Sequence, residues 1–238
     1  MDFVNTLKRQ SQSVQFLIRW LVGLNIVFVL SAVFAQLAKK VWLQESFRWD
    51  APFILAIHHL GNPTLDVIMR LVTQTGGTGA VIIAILLVAW LVWKHRRVES
   101  LFVVIGFGGA AGMNSLLKLL FARPRPNLFP PLVVESSFSF PSGHVTASVA
   151  VYGLLAVLLW QNKHRVLALA SGLWVFMVAI SRIYLGIHYP SDTLAAIAFT
   201  SLWLIAVFFI QGKYLQMSIF RHSDFKQTSF NGFAFKEK

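Results

Sequence analysis

Residues 20–38 read "WLVGLNIVFVLSAVFAQLA". No charged side chain interrupts this run, and Arg19 and the Lys39–Lys40 pair close it at either end. A helix rises about 1.5 Å per residue, so roughly 20 apolar residues match the hydrocarbon thickness of a bilayer. The stretch predicts a transmembrane helix. It is long for a cleavable signal peptide, and no clear small-residue cleavage site follows it.

Five more apolar runs follow, at 79–93, 101–117, 145–160, 166–180 and 193–210. Several are short for a span, so their helices are expected to continue through polar residues at one end. Between the first two spans, residues 41–76 are mixed. Phe53, Ile54 and Ile57, then Leu65, Ile68, Met69 and Val72, recur at helical intervals and predict short amphipathic helices on the membrane surface. The expected fold is all-α: a polytopic six-transmembrane-helix bundle forming one membrane domain over 1–212. A polar, basic cytoplasmic tail, poorly ordered, is expected over 213–238.

Composition agrees. Hydrophobic residues make up 56% of the 238-residue chain, charged residues only 13%, and the mean hydropathy is +0.66. Soluble domains carry about a quarter charged residues. The net charge of +12 does not imply nucleic acid, because no basic stripe interleaved with aromatics accompanies it. With six spans, Lys8, Arg9, "KHRR" (94–97), "KHR" (163–165), Lys213, Arg221 and Lys226 fall on one side. The positive-inside rule then places both termini in the cytoplasm of a multi-pass cell (inner) membrane protein. The absence of cysteine excludes disulfides and thiolate metal sites. His58 and His59 are adjacent and point to different helix faces, which disfavours a shared metal.

Three polar clusters fall on the opposite, outer or periplasmic face. "KLLFARPRP" (118–126) ends the third span, "PSGH" (141–144) opens the fourth, and "SRIYLGIHYPSD" (181–192) ends the fifth. Alternating helix direction brings them to one membrane face. Lys118, Arg125 and Arg182 concentrate positive charge, and guanidinium forks suit phosphate oxygens. Ser142 and Gly143 at a helix start offer backbone N–H groups and the positive end of a dipole. His188 and Asp192 are four apart; a carboxylate on one imidazole nitrogen leaves the other free to attack. His144 can donate a proton to a leaving oxygen. Each cluster alone has an ordinary use: snorkelling flanks, a helix start, or Asp192 as the N-cap of the sixth span. Together they supply cations, an anion cradle, a nucleophile and a proton donor, the inventory that phosphoester hydrolysis requires without a metal.

These residues resemble the type-2 phosphatidic acid phosphatase superfamily, the membrane lipid phosphate phosphatases. Its signature K-x6-R-P, P-S-G-H and S-R-x5-H-x3-D is matched in order by Lys118 to Arg125–Pro126, Pro141 to His144, and Ser181–Arg182 with His188 and Asp192. The resemblance implies His188 as nucleophile, Asp192 as its orienter and His144 as general acid. It implies Lys118, Arg125, Ser142, Gly143 and Arg182 as the phosphate cradle, with no metal and no cofactor. Arg123 lies outside the signature and is a headgroup or supporting candidate. The expected partner is a membrane lipid: phosphatidylglycerol phosphate, phosphatidate or undecaprenyl diphosphate. A phosphotransferase and a non-catalytic lipid-binding or transport protein are the alternatives, and oligomeric state has no sequence signal. The small residues of "GFGGAAGMN" (106–114) would let the third span pack closely; Asn114, one turn before Lys118, is expected either to orient it or to serve in helix packing.

Overall fold

The computed structural model describes the backbone of residues 2–233 and the side chains of residues 15–214. Eight helices follow in order: α1 (Asp2–Trp42), α2 (Asp50–His58), α3 (Pro63–Gly76), α4 (Thr78–Trp93), α5 (Arg97–Phe121), α6 (Gly143–Gln161), α7 (Arg165–Tyr184) and α8 (Pro190–Phe233). Six stretches are long and apolar enough to cross a membrane: Gln15–Trp42, Pro63–Trp93, Arg97–Phe121, Gly143–Gln161, Arg165–Tyr184 and Pro190–Tyr214. The protein is a six-span, all-helical membrane protein. Leu86, Leu116, Leu119 and Phe28 are exposed on its sides, as lipid-facing residues must be.

The second span is longer than its apolar run. The N-cap side chain of Asn62 accepts a hydrogen bond from Leu65 N–H at 2.9 Å, and Pro63 fills the first helical position, so α3 starts cleanly. It continues to Gly76, breaks only at Gly77, and resumes as α4. α3 is amphipathic, but it does not lie on the membrane surface as expected: it forms the first part of the second candidate span, with Met69 and Val72 packed inward against α6 and α7 and Val67, Ile68 and Leu71 exposed. The tail expected from 213 lies mostly among residues whose side chains are outside those described; the backbone of α8 runs on to Phe233.

The core is built by α4, α5, α6, α7 and α8 around Ala80, Ala84, Val103, Val145, Val149, Leu154, Val175, Ala179 and Leu204. The small-residue face of α5 works as expected. Trp203 of α8 lies so close that a Cβ on Gly109 would sit 2.3 Å from its ring, while its Nε1–H donates to Gly106 O at 3.0 Å. Only a bare backbone permits that approach. α1 joins through a second cluster, where Leu37, Val41 and Phe47 meet Phe140 and Ala195.

Candidate active site

The three clusters meet at one end of the bundle. α5 stops where Ala122 turns left-handed (φ 44°) and its N–H closes on Lys118 O at 2.9 Å. Pro124 and Pro126 disfavour helix in the residues before them. Residues 122–142 therefore cross the end of the bundle as irregular chain, carrying Arg123, Arg125 and Glu135 over the start of α6.

His188 lies in the turn between α7 and α8 rather than on a helix, and is 1% exposed. Its Nδ1 is 3.4 Å from Asp192 Oδ2, and its Nε2 is 3.2 Å from Arg125 Nη1. With Nδ1–H aimed at the carboxylate, Nε2 keeps its lone pair toward the arginine. Burial holds the His188 imidazolium pKa down to about 3, against the opposing pull of Asp192, so the ring is neutral at physiological pH. Asp192 is fully buried and held on all sides. Tyr189 N–H donates to Oδ2 at 2.9 Å, the Ser139 hydroxyl donates to the same oxygen, and Arg123 Nη1 meets Oδ1 at 2.5 Å. Asp192 is thus not the N-cap of α8. It stands at the third helical position and reaches back to the N-cap amide, as in a capping box.

Arg125 is held through all three nitrogens: Nε donates to Ser137 O at 2.8 Å, Nη1 to Ile187 O at 2.7 Å, and Nη2 to Ser137 Oγ at 3.1 Å and Phe138 O at 3.5 Å. Burial lowers its pKa somewhat without discharging it. Arg182 ends α7 at 1% exposure. Nη1 donates to Thr73 Oγ1 at 2.9 Å and Nη2 to Glu135 Oε1 at 2.6 Å, while Nε has no partner within the protein. Lys118 Nζ reaches Ser137 Oγ at 3.3 Å and also Phe138 O; a methyl on Gly143 would lie 3.7 Å from its Cε. His144, second residue of α6, puts Nδ1 4.0 Å from Glu135 Oε1. Its Nε2 faces Gly77, where a Cβ would stand only 2.7 Å away.

Ser142 differs from expectation in one respect. Its N–H is committed to Asp192 O at 3.3 Å, so it is not a free anion donor. Its hydroxyl, buried and unpartnered, faces the same region as the first-turn amides of α6. A buried hydroxyl and a buried guanidinium nitrogen without partners are the kind of orphans that mark a binding site for oxygens.

Two residues take the second of the uses expected of them. Asn114 does not orient Lys118. Its amide donates to Pro141 O (3.3 Å) and Thr146 Oγ1 (3.0 Å) and so holds the start of α6. Arg123 is the supporting residue and not a headgroup contact. Its guanidinium lies over the Tyr189 ring at 4.0 Å and bridges Asp192 to Asp50 Oδ2 at 3.0 Å. Asp50, from α2, also accepts Ser191 N–H at 3.0 Å, and is 3% exposed. Asp50, Thr73, Gly77 and Ser139 escaped the sequence reading because no motif contains them. Glu135 left one signal: between 118 and 192 it is the only acid besides Asp192. Burial favours its neutral form, but the hydrogen bond and charge of Arg182, with His144 and Arg125, outweigh that and hold its carboxyl below the ordinary range. Among the described residues no three His, Asp or Glu side chains converge as metal ligands.

Residues 97–215 match the family model described as the PAP2 superfamily. The chain is 33% identical to phosphatidylglycerophosphatase B of Bacillus subtilis over 158 residues, 63% of this chain and 76% of that one. It is 31% identical to the undecaprenyl-diphosphatase of the same organism, covering 60% of this chain and 74% of the relative. The solved structure of a transmembrane PAP2-type phosphatidylglycerolphosphate phosphatase from Bacillus subtilis superposes with a TM-score of 0.69 at 28% identity, over 79% of this chain and 96% of that one. With the family signature filled and its residues gathered at one end of a six-span bundle, this chain belongs to the PAP2 superfamily and is a membrane phosphatase of that family.

Proposed function

We propose that the protein removes a terminal phosphate from a membrane lipid through a phosphohistidine at His188. The observation that carries this reading is the two-sided environment of that ring: Nδ1 faces a buried carboxylate, and Nε2 faces Arg125. His188 Nε2 attacks phosphorus and the bond to the leaving oxygen breaks. His144, whose Nδ1 is on the cradle side, gives that oxygen its proton. His144 then takes a proton from water, the water oxygen attacks phosphorus, the P–N bond breaks and inorganic phosphate leaves. Arg125, Arg182, Lys118, the Ser142 hydroxyl and the Gly143 N–H meet the equatorial oxygens, where charge gathers in the transition state. The cradle is cationic, so it meets that charge with guanidinium and ammonium groups and repels a metal ion.

The substrate class follows from depth and surroundings. The site stands at the ends of membrane-spanning helices, and an apolar groove of about 370 Å³ between α4 and α5, lined by Val81, Ile85, Val104 and Phe107, is suited to acyl or isoprenyl chains. Phosphatidylglycerol phosphate, phosphatidate and undecaprenyl diphosphate are the candidate substrates. The opposite end of the bundle carries Lys94, Arg96, Arg97, Lys163 and Arg165, and the positive-inside rule supports our reading of that end as cytoplasmic and the site as on the outer face of the cell membrane. The test is phosphate release from these three lipids in detergent with EDTA present, with His188→Ala as control. Release that vanishes with EDTA, or survives His188→Ala, overturns the mechanism.

A further inference from the structure

The cradle already holds an anion belonging to the chain. Glu135 Oε1 accepts from Arg182 Nη2 at 2.6 Å, its Oε2 is 3.9 Å from Arg125 Nη2, and its Oε1 is 4.0 Å from His144 Nδ1. One carboxylate thus touches or neighbours two of the groups assigned to phosphate binding, Arg182 and Arg125, and the assigned proton donor, His144. It comes from the irregular 122–142 segment, and its neighbour Val134 is 89% exposed, so chain on one side of it is free of packing. Resting on the phosphatase reading above, we propose that Glu135 is a built-in competitor for the cradle. It selects substrates that carry a dianionic terminal phosphate and excludes the phosphodiester headgroups of the surrounding bilayer.

The reasoning is electrostatic. A carboxylate carries one negative charge, and so does a phosphodiester. Exchanging one for the other at Arg182 gains no charge, while the incoming group must still be desolvated and Glu135 moved into water. A terminal phosphate carries about two charges near neutral pH and three strong acceptor oxygens. It can satisfy Arg182, Arg125 and the unpartnered Arg182 Nε and Ser142 Oγ together, which Glu135 does not. The requirement is acute here because the site lies at membrane depth, where phosphodiester headgroups are concentrated. A bare cationic cradle at that level would be filled by them.

The test is binding of inorganic phosphate to the full-length protein in detergent micelles, followed by calorimetry, with and without phosphatidylglycerol in the micelle. Glu135→Gln removes the competing charge and is expected to bind phosphate about tenfold more tightly than the wild type, the scale of one charge-assisted hydrogen bond. Phosphatidylglycerol should then compete with phosphate in the variant and not in the wild type. Glu135→Asp, which keeps a charge on the segment but withdraws it by one methylene, should shift affinity in the same direction and covers the case in which the glutamine variant folds poorly. Phosphate affinity unchanged or weakened in both variants overturns the proposal, as does equal competition by phosphatidylglycerol in the wild type. The readout involves no turnover, so failure here and failure of the hydrolysis panel are told apart.

Discussion

Gly77 offers the sharpest test of how the fold serves the site. It is the break between α3 and α4, and a Cβ built there would lie 2.7 Å from Nε2 and 3.0 Å from Cδ2 of His144. Carbon contacts settle near 3.5–4.0 Å, so Gly77→Ala requires the imidazole to retreat by about 0.7–1 Å. The ring cannot retreat freely. Its backbone is fixed in the first turn of α6, which Asn114 ties through Pro141 O and Thr146, and the ring's far side meets Glu135. A displacement of about 1 Å in a proton donor costs on the order of 10²-fold in rate, about 2.7 kcal/mol of barrier. Gly77→Ala should therefore lower kcat for lipid phosphate release about a hundredfold, measured with the most rapidly hydrolysed lipid of the panel. A change of backbone preference alone could also lower activity, so the decisive measurement is a double-mutant cycle. If the loss acts through the ring, Gly77→Ala adds nothing once His144→Ala is present. A kcat within twofold of wild type, or losses that multiply in the double variant, refutes the reasoning. Gly108→Ala, where nothing lies within 4 Å of the new methyl, is the control for glycine replacement in a span.

Other consequences follow from the buried charges. Arg123→Ala leaves Asp50 and Asp192 without their shared cation in a buried setting, and should destabilise the folded protein by about 3–5 kcal/mol, read from denaturant unfolding in detergent; Arg123→Lys keeps charge without the fork and should fall between. Because burial pulls the His188 pKa down, the neutral form that the proposed mechanism uses persists as pH falls until about 3. The pH profile of kcat/KM, corrected for the substrate's own second ionisation near pH 6, should therefore show no further acid limb down to pH 5; a limb at the ordinary histidine value of about 6.5 contradicts this. Thr73→Val removes the hydroxyl that accepts from Arg182 Nη1 and leaves a buried N–H without its partner, at a cost of about 1–3 kcal/mol, with a raised KM if the arginine loses its aim.

What could be read from the chain alone divides along a physical line. Spans are legible because the bilayer imposes one length and one polarity on every crossing helix, and alternation of direction then fixes which helix ends meet. That is why Lys118, His144, Arg182 and His188 could be assigned to one face before any coordinates. For Asn114 the sequence left two uses open because spacing on one helix puts it beside Lys118, while its amide turns to a different helix. Arg123 stayed open for a related reason: two residues before Arg125 in an irregular chain, its side chain turns inward to Asp50 and Asp192 rather than outward. Periodicity constrains neighbours along a helix and says nothing about partners across a bundle.

The segment with the weakest functional signal, 41–76, together with the break that follows it, braces three of the four helices that carry the site, α6, α7 and α8. Asp50 of α2 holds Ser191 at the start of α8 and, through Arg123, Asp192. Thr73 of α3 holds Arg182 at the end of α7. Gly76 and Gly77 admit α6, with Gly76 so close that a Cβ would stand 2.5 Å from Val178 and 3.0 Å from His144 O. Helix ends are where a bundle is least constrained, because each has packing neighbours on one side only and unsatisfied backbone groups beyond it. A site assembled entirely from such ends needs lateral support to hold its groups within the fraction of an ångström that catalysis demands. The 41–76 segment and the break after it provide that support with one acid, one hydroxyl and two bare backbones. Only the two glycines act by fit alone; Asp50 acts by charge and Thr73 by its hydroxyl, but their partners lie far away in the chain, so all four lie outside the signature and become visible only in three dimensions.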